Sequence, residues 1–495
     1  MRCRVICLIF LFANLRAVAQ VLYQESFRPQ IHFSPAQKWM NDPNGMVYYQ
    51  NVYHLFFQYY PDSTVWGPMH WGHATSKDLL HWKEQPIALF PDSLGYIFSG
   101  SSVVDSNNTS GFGRPGQIPL VAIFTQHDPV GEQRGNKHFQ NQSIAYSLDA
   151  GKTWTKYNGN PVLRSPELAD FRDPKVFWYS AQKKWIMTLA AGDRLMFYSS
   201  VNLKIWNKES EFGLGIGAHG GVWECPDLFP LMADGTDLWC LLVSTNPGGA
   251  QGGSSTQYFT GSFNGHQFSP SDTKTRWADT GPDNYAGVTW SNTGNKKIFL
   301  GWMSNWQYGT KTPTVKWRSA MTIPRELGLK KIGTQYFLTM RPVKAFESLV
   351  EKKTTYPHIH SEKKYPVSDV ARIDCSIADL HSFQFLFYNA AGEKLSVGYD
   401  EDKKAFFIDR RLAGISSFDS TFAKIHFAPR LAKTKDATII LVLDHSSLEL
   451  FADDGLTTMT EIFFPSHPFQ QMQVHGNTIS FHDLKVSELR SVWHK

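Results

Sequence analysis

Short runs of apolar residues, many of them β-branched or aromatic, alternate with turn-forming residues along most of the chain. Residues 46–49 and 52–57 flank a Gln50-Asn51 turn, and residues 176–179 with 185–189 and 228–231 with 238–243 have the same form. Such pairs are typical of β-hairpins. Before residue 340 no long segment has the 3.6-residue period of an amphipathic helix. The pattern therefore predicts an all-β protein.

A weak internal repeat accompanies these strands. SKDLLHW at residues 76–82 resembles SVNLKIW at residues 200–206, and SLDAGKTW at residues 147–154 is a variant one residue longer. Each segment is a polar turn that ends in a tryptophan. The starts lie 71 and 53 residues apart, a spacing that suits the four-stranded blades of a β-propeller. Coincidence in a Trp-rich chain is the alternative explanation.

The composition changes near residues 341–342. Residues 344–353 predict a short linker helix, and short alternating strands follow, without tryptophan until Trp493. Residues 438–444 and 448–451 predict one hairpin, and residues 472–475 and 479–482 predict another around Gly476-Asn477. We therefore expect a signal peptide at residues 1–20, a propeller at 21–342, a linker at 343–352 and a β-sandwich at 353–495.

The first twenty residues have the pattern of an export signal. Arg2 and Arg4 precede an apolar run at residues 5–12, and Ala-Val-Ala at 17–19 fits a cleavage site. A buried first strand is the alternative. No cysteine follows the cut, and no later apolar run approaches the roughly 18–20 residues of a membrane span. The sequence therefore predicts a soluble protein that is secreted or periplasmic, without a lipid anchor.

Charge and cysteine content exclude several classes of protein. The net charge is +5, and removing residues 1–20 lowers it to +2, because three arginines and no acid are lost. So small a net positive charge argues against nucleic acid as a partner. Cys225, Cys240 and Cys375 remain, an odd number without the spacing of a zinc site. We expect three buried thiols, with one disulfide as the alternative.

Three acidic residues stand where aromatic strands begin. Asp42 lies in WMNDPNG at residues 39–45, Asp173 in FRDP at 171–174, and Glu224 in WECPD at 223–227. A proline follows each acid within two residues and restrains the backbone there. Any one motif alone is better explained by the start of a strand. On different propeller blades, however, the three acids would converge near the central axis in one pocket.

Carboxylates in one pocket are the usual means of glycoside hydrolysis, which needs one ionised group and one protonated group. Glu224 is the better candidate for the proton donor, because glutamic acid is the weaker acid and would face two aspartates. Arg172 is expected to hold its neighbour Asp173 ionised. Rings and amides suit a sugar, and the chain offers Gln58, Trp66, Trp71, Trp302 and Trp306 near these motifs. Each tryptophan alone is explained as well by core packing.

These motifs, taken in order, resemble glycoside hydrolase family 32, the invertase, inulinase and levanase family. The resemblance covers nearly the whole mature chain. It is carried by WMNDPNG at 39–45, FFQ at 56–58, WGPMHWGHA at 66–74, FSGS at 98–101, RDP at 172–174, ECP at 224–226, DNYA at 283–286, GWMSNW at 301–306 and DHSSLE at 444–449. Two positions depart from the family pattern: His445 stands where arginine is usual, and Tyr60 where asparagine is common.

The resemblance implies a five-bladed β-propeller followed by a C-terminal β-sandwich. It implies Asp42 as the nucleophile, Glu224 as the acid and base, and Asp173 as the group that stabilises the transition state, in a retaining mechanism. The implied substrate-binding residues are Asn41, Gln58, Trp66, Phe98, Ser99, Arg172 and Trp302. No metal or cofactor is implied, and His70 and His73, despite their ligand-like spacing, are assigned to packing.

Two further sequence segments bear on the substrate and on the mode of action. Residues 301–329 and 142–147 resemble the microbial exo-fructanase branch, which implies release of terminal fructose from levan or inulin and cleavage of sucrose. An endo-levanase, an endo-inulinase or a fructosyltransferase would use the same catalytic residues. A sialidase would need an arginine cluster, and Arg172 is the only arginine in the three motifs. A non-catalytic fructan-binding protein is disfavoured, because all three acids are present. The oligomeric state is left open.

Overall fold

The computed structural model describes residues 23–361, 363–476 and 481–493. The predicted signal peptide, residues 1–20, lies outside these ranges. Within them the chain is almost entirely β, as predicted, with one short α-helix, Pro129–Gln133, and two 3₁₀ helices, Ser180–Gln182 and Lys344–Leu349. No helix in these ranges is long and apolar enough to cross a membrane.

Five sheets make up the N-terminal part, and each is built outward from one inner strand. Blade 1 contains Lys38–Tyr49, Val52–Tyr60, His70–Ser76 and Lys83–Leu89, with Trp317–Arg318 at its inner edge. Blade 2 contains Tyr96–Val104, Leu120–His127, Gln140–Ser147 and Thr155–Lys156. Blade 3 contains Phe171–Tyr179, Lys184–Ala191, Leu195–Ser200 and Asn207–Phe212.

Two more blades complete the ring. Blade 4 contains Val222–Ala233, Thr236–Asn246, Ser255–Phe263 and Phe268–Pro270, with Arg276–Trp277 beside the third strand. Blade 5 contains Tyr285–Thr289, Ile298–Met303, Arg325–Ile332 and Gln335–Pro342, with Ala320–Met321 beside the second strand. The backbone N–H of Tyr48 in blade 1 donates to Ser291 O after the inner strand of blade 5, at 3.0 Å. The five-bladed propeller is therefore confirmed, with blade 5 joined to blade 1.

The weak sequence repeat corresponds to one turn used three times. In blades 1, 2 and 3 it joins the third strand to the fourth. Its serine Oγ bonds to an Asp or Asn two residues later: Ser76 to Asp78, Ser147 to Asp149 and Ser200 to Asn202. That side chain accepts backbone N–H groups from the residues that follow it. The repeat is thus a backbone-capping device of the blades.

The C-terminal part is a sandwich of two six-stranded sheets around one apolar core. One sheet has the order Val350–Tyr356, Phe481–Leu489, Ala371–Ile377, Ala437–Asp444, Ser447–Ala452 and Thr457–Ile462. The other has the order Lys364–Pro366, Gln471–His475, Phe383–Tyr388, Lys394–Asp400, Ala405–Leu412 and Ile425–Pro429. The strand Val350–Tyr356 begins inside the predicted linker, after the 3₁₀ helix Lys344–Leu349.

The second predicted hairpin of the sandwich is wrong. Gln471–His475 and Phe481–Leu489 lie in different sheets and do not pair with each other. Residues 477–480, between these two strands, lie outside the described ranges. A Gly-Asn pair between two short strands therefore does not by itself specify which partner each strand takes. The hairpin at 438–451, by contrast, is confirmed.

A buried network of charges joins the two domains. Asp444 and Glu449 lie in the DHSSLE motif at residues 444–449, here called the sandwich signature, and accept hydrogen bonds from the two ring nitrogens of His32, at 2.7 and 2.8 Å. Burial lowers the pKa of His32, but the two carboxylates outweigh it and raise that pKa to about 9. Glu449 also binds Arg325 of blade 5, which binds Asp279 at 2.7 Å. The signature therefore binds the propeller, and it has no contact with the pocket described next.

Candidate active site

A cavity of about 340 Å³ lies over the inner strands of the propeller. Its size is near the lower end of the range of roughly 300–1,000 Å³ for ligand pockets. Every blade, or the loop that follows one of its strands, contributes to its wall, so the cavity is enclosed from all sides of the ring. The lining residues are Asn41, Asp42, Gln58, Trp66, Phe98, Ser99, His127, Glu132, Gln140, Asp170, Arg172, Asp173, Glu224, Asn246 and Trp306.

The three predicted acids meet in this cavity. Asp42, Asp173 and Glu224 lie on the inner strands of blades 1, 3 and 4, and all three line the wall. Each inner strand has a break in its pairing register at or next to the acid. Because a β-bulge redirects a side chain that the regular pleat would hold in the sheet, these breaks turn the acids toward the axis. The Pro that follows each acid lies in or at the edge of such a break.

The inner strands of blades 2 and 5 are broken in the same way. The register shifts between Ile97 and Gly100 in blade 2 and between Tyr285 and Val288 in blade 5. The five inner strands thus carry a ring of bulges, and Ser99 of blade 2 contributes its hydroxyl to the cavity from one of them. These two bulges have no local sign in the sequence, because neither contains a proline.

Backbone strain is concentrated at the same ring. Asp173, Cys225 and Ala286 have left-handed backbone angles, with φ of 67°, 45° and 53°. Such a conformation costs a non-glycine residue on the order of 1–3 kcal/mol. Gly45 has a φ of 52°, and a Cβ there would lie 2.7 Å from the ring of Phe56. The chain therefore tolerates local strain where it needs to aim side chains at the cavity.

Asp42 is held by three donors. The amide of Asn41 donates to Oδ1 at 2.9 Å, the hydroxyl of Ser99 donates to Oδ2 at 2.7 Å, and the thiol of Cys225 lies 3.5 Å from Oδ2. Burial and the neighbouring carboxylate of Glu224 raise the pKa of Asp42, while the hydrogen bonds oppose that rise. The donors fix the orientation of the carboxylate and leave one face of it toward the cavity.

Arg172 lowers the pKa of Asp173, as expected, but burial and the two neighbouring carboxylates outweigh it. The guanidinium lies 4.0 Å from Asp173, but it binds Glu224 at 3.0 Å and Asp170 at 2.5 Å. Burial raises the pKa of Asp173, Arg172 lowers it, and the charges of Glu224 and Asp42 raise it further, to about 7 in total. The Arg172 guanidinium interacts with three carboxylates at once, so it stabilises the ionised form of each of them only in part.

Glu224 is fixed at both oxygens. Arg172 donates from Nε and Nη2 to Oε1, at 3.1 and 3.0 Å, and the hydroxyl of Tyr285 donates to Oε2. Tyr285 is buried behind the cavity wall, with 1% of its surface exposed. The Glu224 side chain is 21% exposed, which leaves it a path for exchanging protons with solvent.

Six of the seven predicted substrate-binding residues line the cavity, and Trp302 does not. Trp302 lies on the second strand of blade 5 with no exposed surface. Its ring packs 4.8 Å from that of Trp306 and 6.1 Å from that of Trp39. Trp306, four residues later in the same motif, lines the cavity instead. Trp71 is likewise buried, with its indole N–H bound to Phe98 O.

Several lining residues escaped the sequence prediction. Gln140 and Asp170 stand beside quoted motifs, and both bind Arg172, so proximity to those motifs was an available signal. His127 and Glu132 belong to no motif and lie at the end of a strand and in the helix Pro129–Gln133. The described residues contain no cluster of three or more His, Cys, Asp or Glu suited to a metal ion.

Asp173→Asn is expected to stabilise the protein above pH 7 and to leave its stability unchanged below about pH 4. An unfolded aspartate titrates near 3.9, whereas the folded pKa is about 7. A raised folded pKa gives stability that is present below the unfolded pKa and lost as pH rises through 7. The amide has no such loss, so the gain at pH 8 is on the order of 4 kcal/mol.

The measurement is thermal unfolding of both proteins at pH 4 and pH 8. The variant amide oxygen still accepts the Cys225 N–H, which donates to Asp173 at 3.1 Å in the wild type, so the local fold is retained. An equal difference at both pH values, or a loss of stability at pH 8, would contradict the assignment of a raised pKa.

Comparison with known proteins agrees with this architecture. Residues 32–342 match the Glycosyl hydrolases family 32 N-terminal domain, and residues 345–488 match the Glycosyl hydrolases family 32 C terminal domain. The levanase of Bacillus subtilis (strain 168) is 45% identical, over 95% of this chain and 72% of its own length. The extracellular exo-inulinase of Aspergillus niger is 40% identical, over 95% of this chain and 96% of its own length.

A solved structure gives the same result for the fold. The crystal structure of exo-inulinase from Aspergillus awamori superposes with a TM-score of 0.87 and 39% sequence identity, covering 95% of this chain and all of that one. The family matches span both domains, and the three acids stand in the motifs that first indicated the resemblance. The chain belongs to glycoside hydrolase family 32 and is a glycoside hydrolase.

Proposed function

We propose that this protein is an exo-acting β-fructofuranosidase that releases terminal fructose from levan or inulin and also cleaves sucrose. The observation that carries the proposal is a pocket walled by all five blades, with three carboxyl groups facing a space that suits one sugar unit. The relatives named levanase and exo-inulinase, 45% and 40% identical, support the fructan as the substrate class.

In the proposed first step, an oxygen of Asp42 attacks the anomeric carbon of the fructosyl unit. The new C–O bond forms as the glycosidic C–O bond breaks, and the leaving oxygen takes a proton from Glu224. In the second step Glu224 takes a proton from water, whose oxygen displaces Asp42 and regenerates its carboxylate. The donors on Asp42, from Asn41 and Ser99, hold its carboxylate in position for attack.

Asp173 and Arg172 are assigned to the sugar. Asp173 is nearly buried, with 5% of its surface exposed, and a sugar hydroxyl that donates to it would favour its ionised form. That hydrogen bond would strengthen as positive charge develops on the ring in the transition state. Asn41, Gln58, Trp66, Phe98 and Ser99 complete the proposed fructosyl site.

The exo mode is supported by the shape of the site. An endo-acting enzyme must let a polymer pass through the site on both sides of the scissile bond, which calls for an open cleft. Here residues from all five blades line the cavity, among them Phe98 of blade 2, Asn246 of blade 4 and Trp306 of blade 5. A pocket lined from all five blades suits a chain end and its terminal sugar better than the middle of a polymer.

The test is the product pattern from levan, inulin and sucrose, resolved by chromatography over the time course of the reaction. Free fructose as the only early product from both polymers is the expected result. Short oligosaccharides would replace the exo mode with an endo mode, and products longer than the substrate would indicate transfer to sugar. No release from any of the three substrates would overturn the proposed function.

We also propose that residues 1–20 direct export and that residues 21–342 and 353–495 are the catalytic and bracing units. The buried charges between the domains support a bracing role for the sandwich. Its signature residues Asp444 and Glu449 form hydrogen bonds with His32 and with Arg325 of the propeller. The name of the Aspergillus niger relative, an extracellular enzyme, is consistent with export.

A further inference from the structure

A short segment of blade 2 reaches over the edge of the cavity. The strand Leu120–His127 ends at the cavity wall, and the helix Pro129–Gln133 follows at once. Asp128 caps this helix by accepting the N–H of Val130, at 3.1 Å. The helix carries one charged side chain, Glu132, and this side chain lines the cavity together with His127. None of these residues has a role in the mechanism proposed above.

His127 is rigidly held and its ring protons are assigned by its neighbours. Its ring stacks on Phe98 with centroids 4.4 Å apart and planes within 5°. Gln140 accepts the N–H of Phe171 through Oε1, so its amide group faces His127 Nδ1, at 3.3 Å. Nδ1 is therefore an acceptor, and the ring proton lies on Nε2. That nitrogen lies 3.2 Å from Glu132 Oε2, a close polar contact.

Glu132 consequently offers an acceptor at the edge of the cavity, with His127 beside it. Its side chain is 52% exposed, whereas that of His127 is 7% exposed. Burial and the charge of Arg172 lower the pKa of His127 to about 4, so the imidazole is neutral at neutral pH and leaves the carboxylate charge uncompensated. Asp170, the other carboxylate at the rim, is bound to Arg172 at 2.5 Å. Glu132 is thus the rim carboxylate with lone pairs open to the cavity.

We propose that Glu132, positioned by His127, binds a hydroxyl of the sugar that leaves when the fructosyl bond is cleaved. The inference rests on the proposed function, because it needs a fructosyl unit in the pocket below. The three carboxyl groups at the pocket floor fix where the anomeric carbon lies, and the leaving group then points to the mouth. A carboxylate there can accept a hydrogen bond from a hydroxyl group of a leaving sugar. A simple alkyl leaving group has no hydroxyl group that could donate one.

The experiment compares sucrose with methyl β-D-fructofuranoside, which has the same fructosyl unit and lacks the leaving sugar. Glu132→Gln is expected to lower kcat/KM on sucrose about 10-fold, since a hydrogen bond to a charged acceptor is weakened. On the methyl fructoside its kcat/KM stays within about 2-fold of the wild type. Gln133→Ala, an exposed neighbour on the same helix that does not line the cavity, is the control and changes neither substrate.

A second variant tests the positioning role. His127→Phe keeps a ring to stack on Phe98 and removes the N–H that faces Glu132. It is expected to lower kcat/KM on sucrose and to spare the methyl fructoside. The double variant is expected to lose no more than the larger single loss, because both substitutions remove one shared contact.

The outcomes separate this inference from the function on which it rests. Equal losses on sucrose and on the methyl fructoside would overturn the inference, because Glu132 would then act on the fructosyl unit or on the fold. Unchanged kinetics on sucrose would overturn it as well. If the wild type hydrolyses neither compound, the proposed function itself fails. Wild-type activity on both is therefore the first result required.

Discussion

Asp42→Asn lowers the turnover of sucrose and levan by about four orders of magnitude or more, while the protein stays folded. The substitution removes the group that would form the covalent bond to the anomeric carbon, and an amide is a far weaker nucleophile than a carboxylate. Loss of a residue that acts in both chemical steps has effects of this size in other hydrolases. Steady-state rates with each substrate provide the measurement.

The fold is expected to tolerate this change. The variant side chain has nearly the same shape, and its amide oxygen still accepts from the hydroxyl of Ser99, which lies 2.7 Å from Asp42 Oδ2. Removing one charge also relieves the burial and repulsion that raise the pKa of Asp42. This relief offsets the hydrogen bond from Asn41 that the new NH2 group cannot accept, so the melting temperature should stay close to that of the wild type. A variant that is folded and nearly as active as the wild type would exclude Asp42 as the nucleophile.

Glu224→Gln is the matched control for this experiment. It leaves the nucleophile in place and removes the proton donor, so it also lowers turnover of sucrose by several orders of magnitude. On a fructoside with an acidic phenol as its leaving group, bond breaking needs no proton. There the variant should release phenol in a rapid first burst and then stall as the fructosyl-enzyme, which mass spectrometry of the intact protein detects. Asp42→Asn gives neither the burst nor the added fructosyl mass.

The three acids could be predicted from the sequence because the device that aims them is local. A carboxylate, a proline and an aromatic strand stand together in each motif, and the bulge that they form depends on neighbouring residues alone. The bulges of blades 2 and 5, at residues 97–100 and 285–288, have no proline. These two bulges depend on the closure of the ring, which brings the five inner strands to one level. No single segment of the sequence specifies that closure.

Electrostatic and packing relations between distant segments were harder to predict. Adjacent positions in the chain linked Arg172 to Asp173, yet the guanidinium binds Glu224, 52 residues away. The GWMSNW motif contains both Trp302 and Trp306, and which of the two faces the cavity depends on how blade 5 packs against Trp39. The helix that carries Glu132 has only five residues, too few for a periodic signal to form.

Arg325→Met is expected to destabilise the whole protein by about 3–5 kcal/mol. Arg325 has no exposed surface, and it binds Glu449 of the sandwich through Nε and Nη2, at 3.1 and 2.5 Å. It also binds Asp279 at 2.7 Å and Thr460 at 2.6 Å. Methionine fills similar volume but leaves two buried carboxylates without their shared cation. Scanning calorimetry should show a melting temperature lowered by several degrees.

The size of this effect tests whether the two domains form one stability unit. His32 and the N–H of Ile323 still bind Glu449 in the variant, and these contacts set the lower end of the expected range. Arg341→Met is the control, because this exposed residue of blade 5 lies 3.8 Å from the exposed Asp454, a kind of pair worth about 0–1 kcal/mol. Activity on sucrose well below the transition should be unchanged in both variants, since neither residue lines the cavity. An Arg325→Met protein that melts with the wild type would show that the sandwich adds no stability through this network.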